Sequence, residues 1–246
     1  MLAPAERSRE SLTQEHPCFG CEVRSLAVCG VLGCDDLASF RRLGWSVMLA
    51  PGQPLFHEGD SATRVFTLTT GALKLYRLLP DGRRQITGFL FPGDFLGLVA
   101  EDEHGCTAEA LTEAQLCWFP RGRFSEFVEA SPDMERELYL KAAQELSAAQ
   151  EQILLLGRKT AVERVASFFL NLLERTRRAD GEQQRVFDLP MSRLDIADYL
   201  GLTKETVSRV LGELRRLQLI RLESLNRIEV LDRRGLAATA AGHGPR

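Results

Sequence analysis

The sequence predicts an α+β protein with three parts: an N-terminal antiparallel β-barrel, a long helix and a C-terminal winged helix-turn-helix unit. Turn signals recur every 8–12 residues between positions 46 and 119, which is typical of small barrels and sandwiches. About 24 residues after Pro132 then lack both Pro and Gly. Residues 191–217 follow the pattern of two short helices joined by a tight turn. We divide the chain into a flexible Cys-rich segment (1–34), a barrel domain (35–132), a dimerisation helix (133–156) and a winged helix-turn-helix domain (157–246).

Composition indicates a globular protein made for an aqueous compartment. The 246 residues are 44% hydrophobic and carry a net charge of −3, which is ordinary for a folded domain. No apolar run approaches the roughly 18 residues that would span a bilayer. The polar N-terminus lacks the apolar run of a secretory signal. We therefore expect a cytoplasmic protein without a membrane partner, whose cysteines remain reduced.

Charge is distributed unevenly along the chain. Residues 1–156 carry a net charge of −8, whereas residues 157–246 carry +5. An acidic part joined to a basic part is typical of a regulatory domain linked to a nucleic-acid-binding domain.

The long helix carries apolar residues at alternating spacings of four and three. This spacing is the seam of a two-stranded coiled coil and predicts a homodimer, although a helix packed on its own domain would show a similar pattern. The seam contains no carboxylate, so we expect only a weak preference for the monomer in protein without a cofactor. The predicted seam residues are Ala142, Leu146, Ala149, Ile153 and Leu156.

The C-terminal domain contains a helix-turn-helix pattern. Ser192 is predicted to cap the first helix, Gly201 to end it in a left-handed conformation, and Thr203 to cap the second helix. The polar side chains at the start of the second helix suit the major groove of DNA, because Glu can accept from cytosine and Arg can bind guanine. A solvated helix face with a Glu205–Arg209 pair is the alternative. The predicted DNA-binding residues are Lys204, Glu205, Ser208 and Arg209.

Four of the six cysteines lie between positions 18 and 34. Cys18, Cys21 and Cys29 form a Cys-x2-Cys-x7-Cys pattern, which supplies three thiolates and needs a fourth from elsewhere. A structural zinc site usually has two Cys-x2-Cys pairs. A [4Fe–4S] cluster suits three clustered thiolates and one remote thiolate better, because its irons are spread over a cube. Cysteines without any cluster are the alternative.

The order of β-barrel, long helix and winged helix-turn-helix resembles the CRP/FNR family of bacterial transcription regulators over essentially the whole chain. Particular stretches resemble its FNR-type branch, the iron–sulfur oxygen sensors. These stretches are Gln85-Ile-Thr-Gly-Phe, Pro92-Gly-Asp-Phe-Leu-Gly, Ile153-Leu-Leu-Leu and Tyr199-Leu-Gly-Leu-Thr, followed by Glu205-Thr-Val-Ser-Arg.

The resemblance implies a barrel like that of cyclic-nucleotide-binding domains and a dimer that forms with a [4Fe–4S] cluster. It implies recognition of paired TTGAT-like half-sites on double-stranded DNA through Glu205, Ser208 and Arg209. Lys204 occupies a position that varies among relatives, and we assign it to a phosphate. Such a regulator would control anaerobic or microaerobic gene expression and contact RNA polymerase, for which the turn at 80–84 is a candidate.

The fourth cluster ligand also follows from the resemblance. Cys117 lies in a stretch similar to the family strand that carries this ligand, whereas Cys106 lies in a loop outside it. We therefore assign the ligand set Cys18, Cys21, Cys29 and Cys117. Cys34 is expected to be a free thiol of the first helix.

Other functions fit the sequence less well. The stretch that would hold a cyclic phosphate contains Glu101, Asp102 and Glu103 and lacks arginine, so we expect no cyclic nucleotide. His57 and His104 have no haem motif and are expected at the surface or at a cap. No grouping of catalytic residues indicates an enzyme. A regulator of the same family without a cluster, which responds to thiol redox, haem or a small ligand, is the alternative function.

Overall fold

The computed structural model describes Cys18 and residues 20–98, 101–175, 185–224 and 226–243. Its first half contains two four-stranded antiparallel sheets, with strand orders β1-β8-β3-β6 and β2-β7-β4-β5. Apolar residues of both sheets, such as Leu68, Leu73 and Leu116, share one core. The predicted barrel is confirmed, while its strand order could not be read from the sequence. The strands are β1 (Trp45–Leu49), β2 (Pro54–Phe56), β3 (Arg64–Thr70), β4 (Leu73–Leu78), β5 (Arg84–Leu90), β6 (Phe95–Leu96), β7 (Thr107–Ala110) and β8 (Ala114–Pro120).

The turn between β3 and β4 depends on Gly71. Its φ of +84° lies in the left-handed region, and an added Cβ would come within 2.3 Å of the Glu113 carbonyl oxygen. Only glycine avoids both the strain and the clash. Gly71 therefore fixes the turn that leads the chain from one sheet to the other.

The segment that precedes the barrel is packed against the rest of the protein, which differs from the predicted flexibility. Two 3₁₀ turns, Arg24–Leu26 and Val28–Val31, lead into helix α1 (Cys34–Arg41). Val28 and Leu32 are buried in one cluster with Met134 and Leu138 of a later helix. Sequence periodicity cannot reveal such packing, because the partner lies about a hundred residues away. Residues 1–17 and Phe19 of the predicted Cys-rich segment lie outside the described residues.

Helix α2 (Arg121–Glu129) and the long helix α3 (Pro132–Arg158) follow the barrel. Helix α3 has 27 residues and continues through Gly157. The predicted domain boundary at that glycine is therefore not a break in the helix. Pro132 at its N-terminus has the fixed φ that suits the first turn.

The second half of the chain is a winged helix-turn-helix unit. The two helices of the motif are preceded by an amphipathic helix that buries Phe168, Phe169 and Leu172. The predicted wing hairpin is present and is extended by a third strand that was not predicted. A C-terminal helix was also not predicted. The elements are α4 (Ala161–Arg175), β9 (Val186–Asp188), α5 (Arg193–Leu200), α6 (Lys204–Arg216), β10 (Ile220–Ser224), β11 (Arg227–Val230) and α7 (Arg233–Ala240).

The two halves share a hydrophobic core. Ile86 and Phe89 of β5 are buried together with the helices of the second half. The Phe89 ring lies 5.1 Å from that of Tyr199 in α5 and 6.0 Å from that of Phe168 in α4. Within the described part of the chain, we find no helix with the length and apolar character needed to cross a bilayer.

Candidate functional site

Four thiols line one cavity between the N-terminal segment and the barrel. Cys18 and Cys21 precede the first 3₁₀ turn, Cys29 lies in the second, and Cys117 comes from the middle of β8. Each of these cysteines was predicted as a cluster ligand. The rest of the lining is formed by five apolar residues, two threonines and two arginines, namely Val23, Ala27, Leu37, Phe40, Phe119, Thr67, Thr69, Arg24 and Arg41.

The position of Cys117 is fixed by the sheet. It pairs with Ser46 of β1 on one side and with Thr67 of β3 on the other. Because successive side chains of a strand point to opposite faces, the register of β8 turns this thiol towards the N-terminal segment. Cys117 consequently packs with Cys18 and Cys29 in the same cluster of residues.

Burial determines the protonation of these thiols. Desolvation, with a smaller contribution from the neighbouring thiols, raises the pKa of Cys29 to about 11. Desolvation also raises the pKa of Cys18 and that of Cys117, although the Arg41 guanidinium opposes the increase in both. Cys18, Cys29 and Cys117 are therefore protonated at neutral pH, and a bound metal group would have to displace their protons.

The two remaining cysteines lie elsewhere. Cys34 is the exposed first residue of α1, as predicted. Cys106 is half-buried against the barrel core, and Glu58 and Arg77 are the charges that act on it. Of the two candidates for a fourth ligand, the fold thus brings Cys117 to the N-terminal thiols.

The helix-turn-helix is built as its sequence predicts. Ser192 Oγ accepts a hydrogen bond from the Asp195 amide (3.1 Å), and the Asp195 carboxylate accepts from the Ser192 amide (3.0 Å), which completes a capping box. Gly201 ends α5 with φ +63°, and Thr203 Oγ1 caps α6 by accepting from the Thr206 amide. These caps fix the angle at which α6 leaves the turn.

The four predicted DNA-binding side chains are exposed on the first turns of α6. Ser208 Oγ donates to the Lys204 carbonyl oxygen at 2.9 Å. The Arg209 guanidinium donates to Thr206 Oγ1 at 3.3 Å, which is a different contact from the Glu205–Arg209 pair considered above. The polar end of α6 is therefore available for a ligand outside the protein.

An ionic network joins the barrel to the helix-turn-helix. Lys74 of β4 lies 3.2 Å from Asp195 and 3.0 Å from Glu109. Arg84 of β5 lies 2.9 Å from Asp195 and 2.8 Å from Asp198. Sequence reasoning missed this network, because Asp195 and Asp198 lie more than 100 positions from Lys74 and Arg84.

The Asp195 carboxylate is ionised within this network. Desolvation by burial would raise its pKa, but hydrogen bonds from Ser192 and the charge of Lys74 outweigh that effect and hold the pKa below the usual value. Asp195 therefore has two structural tasks: it completes the α5 capping box and it binds the barrel.

Comparison with known proteins identifies the chain. A profile of cyclic nucleotide-binding domains matches residues 46–131, and one of Crp-like helix-turn-helix domains matches residues 163–239. The chain is 45% identical over 221 residues to the transcriptional activatory protein AadR of Rhodopseudomonas palustris. The aligned residues cover 90% of this chain and 92% of that protein. The chain belongs to the Crp/FNR family. It is thus a transcription regulator with a DNA-binding domain, and not an enzyme.

Other Crp/FNR proteins are similar over most of their length. The nitrogen fixation regulation protein FixK of Bradyrhizobium diazoefficiens is 44% identical, with 82% of this chain and 84% of that protein covered. The activator FnrL of Cereibacter sphaeroides is 36% identical, with 88% of this chain and 89% of that protein covered. The solved structure of FixK2 from Bradyrhizobium japonicum has a TM-score of 0.74 and 36% identity to this protein, and the match covers 80% of this chain and 96% of that chain.

The predicted seam of this Crp/FNR regulator faces outwards over most of α3. Leu146 is 62% exposed and Ile153 is 70% exposed, and Ala142 and Ala149 are also exposed. Leu156 differs, because it is half-buried against the DNA-binding unit. Regulators of this family are dimeric, and coverage of this exposed apolar face of α3 by a second protomer stays a prediction.

Four of the five residues in the turn at 80–84, the candidate for contact with RNA polymerase, are exposed. Asp81 and Arg83 pair with each other there at 2.7 Å. Arg84 turns inwards to the ionic network described above and is less exposed than the four preceding residues of the turn. Contact of the tip with RNA polymerase stays a prediction.

His104 is buried rather than at the surface or at a cap, which corrects the expectation. Its ring stacks on Phe56 with centroids 3.6 Å apart. Burial lowers its pKa, although Asp60 opposes that effect. The histidine fills space beside the barrel because its neutral ring can stack like an aromatic side chain. His57 is exposed, as expected.

Proposed function

We propose that this Crp/FNR protein is an oxygen-responsive, dimeric transcription activator that binds a [4Fe–4S] cluster through Cys18, Cys21, Cys29 and Cys117. The single observation that carries the proposal is that these four thiols, from three separate parts of the fold, line one apolar cavity. The names of the similar proteins AadR and FnrL, which describe activators, support the activating role.

The donor set suits a cluster better than a single ion. The cavity offers thiols, which are the ligands of iron–sulfur clusters. Among the described residues, no three His, Cys, Asp or Glu side chains are close enough to hold one metal ion. The four cysteines that line the cavity match in number and type the four thiolate ligands that a [4Fe–4S] cluster takes. When bound, the cluster would supply reactivity towards oxygen, which ends in loss of iron and release of the thiolates.

The protein's own residues would transmit that release to the dimer. Val28 and Leu32 pack on Met134 and Leu138 at the start of α3. The Lys141 ammonium of α3 donates to the Leu26 carbonyl oxygen at 2.8 Å. Releasing Cys21 and Cys29 would loosen this packing, and α3 would lose support near the seam that joins the protomers.

The dimer would then control DNA binding. Two α6 helices must lie about 34 Å apart to enter successive major grooves on one face of DNA. At each half-site we assign Glu205 to cytosine, Arg209 to guanine and Ser208 to a base or phosphate. Lys204 is assigned to a phosphate. The expected target is a palindrome of TTGAT-like half-sites.

Anaerobic purification tests the cluster. The wild-type protein is expected to contain iron and acid-labile sulfide, about four of each per chain, and to lose its visible absorbance in air. Cys117→Ser is expected to lose the iron, whereas the matched variants Cys106→Ser and Cys34→Ser retain it. An iron-free wild-type protein that binds DNA equally well in air would contradict the oxygen-sensing function but not the family.

A further inference from the structure

The cavity that the four thiols line contains two positive side chains. Arg24 and Arg41 are the cations among its described lining residues, and most of the other residues are apolar. Arg41 acts electrostatically on both Cys18 and Cys117, whereas Arg24 acts on Cys18. The Arg41 charge therefore reaches thiols from both sides of the cavity, the N-terminal segment and the barrel.

Arg41 is held in place by its own contacts. It is the last residue of α1, and its Nη1 donates to the Gly44 carbonyl oxygen at 2.7 Å. Its Nη2 lies 3.5 Å from Ser46 Oγ. Ser46 is paired across the sheet with Cys117, and its side chain lowers the pKa of that thiol, against the larger effect of burial. The guanidinium is thus fixed beside the predicted fourth ligand.

We propose that Arg41 is a positioning residue that compensates the charge of the thiolate-bound cluster. This inference rests on the proposed function. Four thiolates outweigh the positive charge of the cluster core, so the bound group is an anion. An anion in an apolar cavity is costly unless a cation is near. The Arg41 charge favours retention of the anion and, because it stabilises the more negative form, opposes its oxidation.

The test compares three variants after anaerobic reconstitution. Arg41→Gln removes the charge, Arg41→Lys keeps it, and Arg42→Gln removes the charge of an exposed neighbour that does not line the cavity. Iron content is measured first, and then the half-life of the visible absorbance after addition of a fixed amount of oxygen. Arg41→Gln is expected to shorten this half-life by roughly two- to fivefold, the effect of one partly exposed charge.

The controls separate charge from folding. Arg41→Lys is expected to restore most of the half-life, and Arg42→Gln is expected to match wild type. If Arg41 only supports the backbone at Gly44, both Arg41 variants will lower the thermal stability of the metal-free protein equally and leave the half-life unchanged, which overturns the inference. An iron-free wild-type protein overturns the proposed function and this inference together.

Discussion

Lys74 of the barrel and Asp195 of the helix-turn-helix form a buried ion pair with Nζ and Oδ1 3.2 Å apart. Each residue is 6% exposed. Because Asp195 also caps α5, the pair connects the β4 strand directly to the helix that positions α6. The barrel therefore fixes the orientation of the DNA-binding unit through charge as well as through the apolar contacts of Phe89.

Replacing Lys74 by Met is expected to destabilise the protein. The substitution leaves the Asp195 and Glu109 carboxylates without this buried cation, which should lower the free energy of unfolding by about 3 kcal/mol. Urea unfolding at neutral pH measures the change. Arg83→Met is the matched control, since it removes an exposed charge at the tip of the same hairpin and should change stability by less than about 0.5 kcal/mol. Equal effects of the two variants would contradict a stabilising role for the pair.

The stability of the barrel should depend on pH through His104. Because burial lowers its pKa, the unfolded chain binds a proton at a higher pH than the folded protein does. The folded state therefore loses stability as the pH falls from the usual histidine value of 6.5 through the lowered value. Thermal unfolding at about pH 7.5 and about pH 5 measures this loss.

The stability of a variant without the His104 imidazole should depend less on pH. His104→Phe keeps the stacking on Phe56, and its thermal midpoint is expected to fall by less than that of wild type between the two pH values. His57→Gln removes an exposed histidine and should behave like wild type. If the thermal midpoint of His104→Phe falls between the two pH values by as much as that of wild type, groups other than His104 cause the pH dependence.

The α6 substitutions should separate base recognition from phosphate binding. Arg209→Ala and Glu205→Ala are each expected to cost about 1–3 kcal/mol of binding to a TTGAT palindrome and to relax discrimination at one base pair. Lys204→Ala should weaken binding to all sequences and reduce the salt dependence of binding by about one counterion per contact. Titrations at several salt concentrations, with matched and substituted half-sites, distinguish these outcomes. If Arg209→Ala loses the same affinity for matched and for substituted half-sites, Arg209 does not contact a base.

The seam of α3 should determine the oligomeric state. Ile153→Asp places a charge on a side chain that is exposed in the protomer, so the fold should persist while the dimer dissociates. Gln144→Glu changes an exposed residue on the opposite side of α3 and is the control. Sedimentation velocity at micromolar concentration measures the effect. The metal-free wild-type protein is expected to retain some dimer, and a strictly monomeric form would contradict the predicted weak preference.

The features that the sequence predicted correctly are those with a local cause. Ser192, Gly201 and Thr203 cap or end helices through contacts within a few residues, so short-range rules identified them. The Lys74–Asp195 pair, the stacking of His104 on Phe56 and the packing of Val28 on α3 depend on distant partners. No periodicity marks such partners before the chain has folded. Cys117 was assigned through family resemblance, since spacing alone could not choose between it and Cys106.

Helix α3 passes through Gly157 without a break, and its 27 residues span about 40 Å. Because the helix is continuous, a change of its direction at the Met134–Leu138 turn beneath the N-terminal segment is carried along its whole length. If that turn tilts by about 5°, the far end at Arg158 moves by roughly 3.5 Å. A displacement of this size is comparable to the rise of one base pair. If the proposed cluster is lost, we therefore expect a small change of packing beside the thiols to shift the far end of α3 by a distance that matters for the fit to the DNA grooves.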